Sequence, residues 1–371
     1  MRNALIVFHR WLALVTSIVI ILAGLTGGAL VFEGAIDRGL NPQLWRVTPA
    51  GPVLPLDTIV AHARAAVPKA TVTGLSLART PDRAYVASAG PTQIFVDQYN
   101  GRVLGTRDRK DFDQTLPRIL HRLHTDLMVG AVGSELIGIA TIAALLLVIT
   151  GMYLWWAEKL WRIRWSASWK RIAYDLHHSL GIIASLVLLA ITASGAAIHY
   201  ESLRGVIACL DGARTRAVKP PVVVVGDAAG ASPVSLDSAV RTATGALPEA
   251  TVTMMSLPKK ADQPLLITMR FAEDRTPGGR TKVYVNGNSG AVLRVESTRV
   301  AGMGTKANNQ MRSIHTGDVF GQPTEVIWLV AALVLAGQGM TGVMMWWNGR
   351  PARAALARKA QQQRGGPLVS S

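Results

Sequence analysis

Four long apolar stretches, each keeping a histidine at its head and arranged as two matching pairs, limit what this chain can fold into. His9-Arg10-Trp11-Leu12 opens a run that reaches Thr26-Gly27 and ends at Glu33; His177-His178-Ser179-Leu180 opens one that reaches Ser194-Gly195 and ends at Glu201. The spacing from histidine to glycine is the same in both (9 to 27, 177 to 195), and so is that from glycine to glutamate. The second pair behaves likewise. His124-Thr125 leads to Thr150-Gly151 and Trp155-Trp156, and His315-Thr316 leads to Thr341-Gly342 and Trp346-Trp347, again at equal offsets. The chain reads as an internal duplication whose two halves run in the same direction.

A helix needs about 20 apolar residues, at about 1.5 Å rise each, to cross a bilayer core. Residues 11–32, 131–154, 179–198 and 325–345 meet that length, and a chain of 371 residues that is 49% hydrophobic and 17% charged is too apolar for one soluble globule. The first stretch lacks the short core and small-residue cleavage site of a secretory signal, and its counterpart is internal, so it reads as a retained helix. Basic residues of short loops stay on the cytoplasmic side. Lys159, Arg162, Arg164, Lys170 and Arg171, and in the tail Arg350, Arg353, Arg358, Lys359 and Arg364, therefore place the 158–172 loop, the 349–371 tail and the N-terminus inside. The expected order is helix 1–33, outer domain 34–123, helix 124–157, basic loop 158–172, helix 173–200, outer domain 201–314, helix 315–348 and tail.

The net charge of +16 thus calls for no nucleic acid. Part of it is a topology signal, and part is a basic outer surface suited to anionic ligands, with Arg270, Arg275, Arg280 and Lys282 as examples. A single cysteine, Cys209, leaves no disulfide framework and no Cys-ligated cluster. No Gly-rich nucleotide fingerprint follows a strand, which argues against a built-in flavin or nicotinamide domain.

Each outer segment carries the same α+β order. Leu56-Asp57-Thr58-Ile59-Val60 begins a helix, Ala70–Thr73 and Tyr85–Ala87 read as strands, and Ile94–Asp97 leads through Asn100-Gly101 to Val103-Leu104. The second begins a helix at Leu236-Asp237, continues in a strand at Ala250–Thr253, and runs from Val283–Asn286 through Ser289-Gly290 to Val292-Leu293. Asn-Gly and Ser-Gly between apolar runs mark turns that need positive φ.

The units "IFVDQYNGRVLG" and "VYVNGNSGAVLRV" resemble PepSY domains, and the His-headed runs "HRWLALVTSIVIILAGLTGGALVF" and "IHTGDVFGQ…MTGVMMWW" resemble the PepSY-associated transmembrane family. The resemblance covers nearly the whole chain up to Trp347, without a fused flavoprotein module. It implies a bacterial inner-membrane four-helix bundle with two periplasmic α+β PepSY-like domains, both termini cytoplasmic. It also implies a b-type haem protein that reduces a ferric siderophore or another ferric chelate.

A bis-histidine haem takes two neutral imidazoles from different helices inside an apolar shell. The first and third spans run outward and the second and fourth inward, so His9 and His177 share the inner face and His124 and His315 the outer one. Two haems follow, one per pair. His178 is the alternative ligand to its neighbour His177, and His199, at the outer end of the third span, is the alternative for the outer site. His121 lies one turn before His124 and could form a surface metal pair with it; His62 reads as a solvated surface residue. Gly27 and Gly195 fall on the face of His9 and His177, leaving room for close packing or a flat macrocycle.

The expected activity is transfer of electrons from an unidentified donor on the cytoplasmic side, through two b-type haems, to a periplasmic ferric chelate. Two rival readings are a non-enzymatic PepSY binding or regulatory membrane protein and a metal transporter, though the spans lack the intramembrane carboxylates of an ion path.

Overall fold

Lipid offers no hydrogen-bond partner, so the apolar stretches must satisfy their backbone within helices. The computed structural model describes residues 1–108, 115–211, 220–223, 233–260 and 262–349; the tail arginines 350, 353, 358 and 364 and Lys359 lie outside the described residues. In chain order its principal helices are α1 (Arg2–Leu30), α2 (Glu33–Leu40), α3 (Leu56–Ala66), α4 (Leu116–Asp126), α5 (Ala131–Glu158), α6 (Trp169–His199), α7 (Glu201–Ala208), α8 (Leu236–Ala246), α9 (Met303–Thr316) and α10 (Gln322–Asn348). Its strands are β1 (Gly74–Ser76), β2 (Tyr85–Ala89), β3 (Thr92–Val96), β4 (Val103–Arg107), β5 (Ala250–Ser256), β6 (Leu265–Phe271), β7 (Thr281–Val285) and β8 (Val292–Glu296). Among the described residues α1, α5, α6 and α10 are long and apolar enough to cross a membrane, with mean hydropathy from 1.9 to 2.3. The chain divides into a helical unit, 1–31, 120–199 and 325 onward, and a second unit of 32–119 and 200–324.

In the helical unit small residues bring the backbones together, since apolar burial alone gives helices in lipid little reason to associate. A Cβ at Gly24 would stand 2.8 Å from the Ala332 carbonyl oxygen and 3.0 Å from the Ala336 amide nitrogen, and one at Gly28 would stand 3.5 Å from the Ala332 methyl. Gly24 and Gly28 are thus a small-residue pair on α1, four apart, seated on the matching alanines of α10. Ile20, Ala140 and Ala144 form a buried cluster that adds α5, flanked by Val19, Leu147 and Leu335.

The continuous helices expected from His124 and from His315 are each interrupted. His124 stands on α4, which ends before a corner at Leu127 (φ +50°), Met128 (φ +63°) and Gly130 (φ +67°), after which α5 begins. The corner is tight. A Cβ on Gly133 would collide with the Asp126 carbonyl, so only glycine fits there. His315 stands on α9, closed by Gly317 at φ +80°.

In the second unit the two strand sets expected as separate domains form one antiparallel sheet in the order β4-β3-β2-β1-β5-β6-β7-β8. The join is β1 on β5, with Leu75 opposite Met255. Burial accompanies the join, since a single core draws Ile59, Leu75 and Ile94 from one half and Met255, Ile267 and Val283 from the other. The halves also cap each other's helices. The Asp237 carboxylate accepts from the Leu56 amide at 2.9 Å at the start of α3, and that of Asp57 from the Leu236 amide at 2.8 Å at the start of α8. The expected turns are present, with Gly101 at φ +75° and Gly290 at φ +74°. The strand expected at 70–73 lies instead at Gly74–Ser76, where pairing with β5 sets the register.

A buried ion pair anchors α2. Arg107 donates to both Asp37 carboxylate oxygens, at 2.7 and 3.1 Å, and Asp37 also accepts from Trp45 Nε1 at 3.1 Å.

Candidate functional site

The first halves of α1 and α6 and the second halves of α5 and α10 surround a mainly apolar cavity of about 410 Å³, within the range for cofactor sites. His9, His177 and His178 all line it, so three of the expected ligands share one space.

The threonines of the repeated Thr-Gly pairs decide how these imidazoles are held. Thr150 Oγ1 donates to the Leu146 carbonyl at 2.7 Å, and Thr341 Oγ1 donates to that of Gly337 at 2.7 Å. A hydroxyl has one proton, so toward a second neighbour each can only accept. His9 Nδ1 lies 2.8 Å from Thr150 Oγ1, and His177 Nδ1 lies 3.0 Å from Thr341 Oγ1. In both, Nδ1 must carry the hydrogen, which leaves the Nε2 lone pair for a metal. The following glycine backs each ring. A Cβ at Gly151 would stand 3.5 Å from His9 Cε1, and one at Gly342 would stand 3.6 Å from His177 Cε1.

His124 is held in the same way. Thr26 Oγ1 donates to the Leu22 carbonyl at 2.6 Å, and His124 Nδ1 lies 3.2 Å from that hydroxyl and 3.1 Å from the Ala23 carbonyl. A Cβ on Gly27 would stand 2.9 Å from His124 Cε1, closer than the ring tolerates. Gly27, Gly151 and Gly342 thus each receive a histidine from another helix. His315 lies on α9 in the second unit, and His199 is the last residue of α6.

His178 turns elsewhere. Its Nδ1 donates to the Tyr174 carbonyl at 2.9 Å, its ring stacks on Tyr174 at 4.0 Å, and its Nε2 stands 3.9 Å from Glu158. Glu158 also accepts from Tyr174 Oη at 2.6 Å and from Arg2 at 2.8 Å, so the cavity mouth carries a closed polar network. Arg10 lines the same cavity, and its Nε is buried with no hydrogen-bond partner among the described residues.

These residues fit a b-type haem. Two neutral imidazoles come from different helices, the walls are apolar, and an orphaned guanidinium nitrogen suits an acidic substituent of the macrocycle. Among the described residues no three His, Cys, Asp or Glu side chains gather as they would around a bare metal ion.

Sequence reasoning treated Thr26, Thr150 and Thr341 as repeat markers and missed their role as acceptors. The repeated offsets place a histidine and a Thr-Gly pair at matched depth on neighbouring spans, but do not say which of them meet.

Four membrane-length helices and an added antiparallel α+β unit define a multi-span membrane protein with a histidine-lined cavity among its helices. The chain belongs to the family of the PepSY-associated TM region, whose profile matches residues 7–348. Comparison with curated proteins gives no match.

Proposed function

We propose that the chain is a di-haem b oxidoreductase of the bacterial inner membrane that passes electrons from a cytoplasmic-side donor to a periplasmic ferric chelate, by family resemblance a ferric siderophore. The observation that carries the reading is the paired Thr–His geometry, which prepares Nε2 of both His9 and His177 at one cavity. His9 and His177 hold the inner haem, and His124 and His315 hold the outer one. When bound, the haem supplies a one-electron iron couple.

Everything else falls to the chain's own side chains. Thr150 and Thr341 keep the imidazoles in the ligating tautomer, the apolar wall excludes water, and Arg10 would meet an acidic substituent of the bound group. No general acid or base is required, because each turnover moves one electron onto one ferric ion, which leaves its chelator as Fe(II). On this reading the chain is an internal parallel duplication, the basic 158–172 loop lies in the cytoplasm, and the second unit lies in the periplasm.

Vesicles of both orientations holding pre-reduced protein test the direction of flow. A membrane-impermeant ferric chelate is expected to reoxidise the haem faster from the periplasmic face. Faster reoxidation from the cytoplasmic face would reverse the proposal, and no reoxidation from either face would favour a non-enzymatic binding protein.

A further inference from the structure

The second unit holds a cleft of its own, of about 320 Å³, formed by the β6–β7 loop, the turn that follows β8 and one side of α9. Its loop is fixed in place: Thr276 Oγ1 donates to the Asn309 carbonyl at 3.2 Å, and Thr253 Oγ1 donates to that of Gly278 at 2.6 Å.

Its charges do not cancel. Glu273 accepts from Arg299 Nε at 2.6 Å, which holds its carboxyl below the ordinary carboxylate value. Asp274 accepts from the Phe271 amide at 2.9 Å and from Thr298 Oγ1 at 2.8 Å. Arg299 is shared between Glu273 and Glu249, and Asp274 bonds only neutral donors, so the four lining cations stand against three carboxylates, Glu249 included, and a net positive charge is left over. Three cations besides Arg299 remain. Arg280 makes no ion pair among the described residues, Arg275 rests over the Phe320 ring at 4.5 Å, and Lys306 Nζ reaches the Arg299 carbonyl, a neutral acceptor, at 3.1 Å. Of the basic residues picked out in the sequence, Lys282 is paired with Glu296 at 3.6 Å and Arg270 donates to the Asp274 carbonyl, which leaves Arg275 and Arg280 as the pair facing the cleft.

We propose that this cleft binds a polycarboxylate metal chelate, its oxygens taken by Arg275, Arg280 and Lys306 and its rim by the Asn309 and Gln310 amides. Guanidinium groups suit the choice because they pair with carboxylates through two parallel hydrogen bonds. Position suits it as well. Gln310 and His315 share α9, one and a half turns apart, about 7.5 Å along the axis. A chelate seated here stands close to the helix end that carries a proposed haem ligand. In naming the substrate class this inference rests on the ferric-reductase reading, whereas binding itself does not.

The test is calorimetric titration of the full-length protein in detergent, at low salt, with gallium citrate, a chelate of like shape and charge whose metal is not reduced under these conditions. Free citrate, inorganic phosphate and the cationic gallium complex of desferrioxamine are run alongside. Gallium citrate is expected to bind most tightly. Arg280→Gln and Arg275→Gln, neither removing an ion pair among the described residues, are expected to weaken it at least tenfold, whereas Arg241→Gln, an equal charge change on the exposed face of α8, changes it less than twofold. Absence of gallium citrate binding, phosphate binding as tight as the chelate, or equal weakening by Arg241→Gln would each overturn the cleft. Haem content of the same samples is read separately, so loss of the cleft and loss of the haem reading give different results.

Discussion

At the scale of single residues, the threonine hydroxyls are the parts whose removal has the sharpest expected signature. Thr150→Val and Thr341→Val keep the shape and delete the acceptor, so each imidazole loses the bond that orients it. Loss of such an outer partner lowers metal-ligand affinity about 10–100-fold. Faster transfer of haem to an apo-globin acceptor checks it, and transfer at the wild-type rate would show that the hydroxyls only pack. The glycines discriminate further. Gly27→Ala pushes on His124 at 2.9 Å and is expected to disturb the site that His124 serves, whereas Gly151→Ala meets His9 at an ordinary 3.5 Å and is expected to leave its spectrum unchanged. Arg107→Leu strands a buried Asp37 carboxylate and is expected to cost about 3–5 kcal/mol, read as a lowered unfolding midpoint of the sheet unit. These contacts were partly visible beforehand. Histidines and Thr-Gly pairs at equal offsets stood out, but which helix faced which did not, because spacing along a chain says nothing of the neighbour across the gap.

Elements are where reading from sequence ran out for physical reasons. Membrane helices announce themselves by length and apolarity, and the hairpin glycines by the positive φ they alone adopt readily. The break between α4 and α5 is only partly marked: Gly130 takes positive φ as glycine readily does, but Leu127 and Met128 take it too, and an amphipathic helix abutting an apolar run merges with it. Fusion of the two strand sets depends on Leu75 meeting Met255, a pairing far apart in sequence. Reciprocal capping follows from the same fusion, and Asp57→Ala and Asp237→Ala are each expected to destabilise the unit by about 1 kcal/mol. The start of α9 depends on Asp211, which accepts from the Gly304 and Thr305 amides and from the Thr305 hydroxyl. Those bonds, the Thr305 hydroxyl first, hold the Asp211 carboxyl below its ordinary 3.8. A depressed folded value means the contribution is complete above the unfolded value and is lost as pH falls through the folded one. Protection of the Gly304 and Thr305 amides against hydrogen exchange, compared at equal intrinsic exchange rate, is therefore expected to be retained at neutral pH and to fall once the carboxyl is protonated. Unchanged protection in Asp211→Ala would remove the carboxylate from the account.

For the whole molecule, the chain's one cysteine reports orientation. Cys209 lies exposed in the second unit, which on the proposed topology faces the periplasm. A membrane-impermeant maleimide is expected to label it in intact spheroplasts, and labelling only after permeabilisation would invert the topology. The central claim, however, concerns what the helices hold. Two histidine pairs predict two b-type haems per chain, and a pyridine haemochrome assay set against protein mass measures that number directly. The account predicts a value near two in fully loaded wild-type protein, falling to one in His9→Ala and in His177→Ala with the remaining haem spectrally intact. A value near zero in the fully loaded wild type would contradict it.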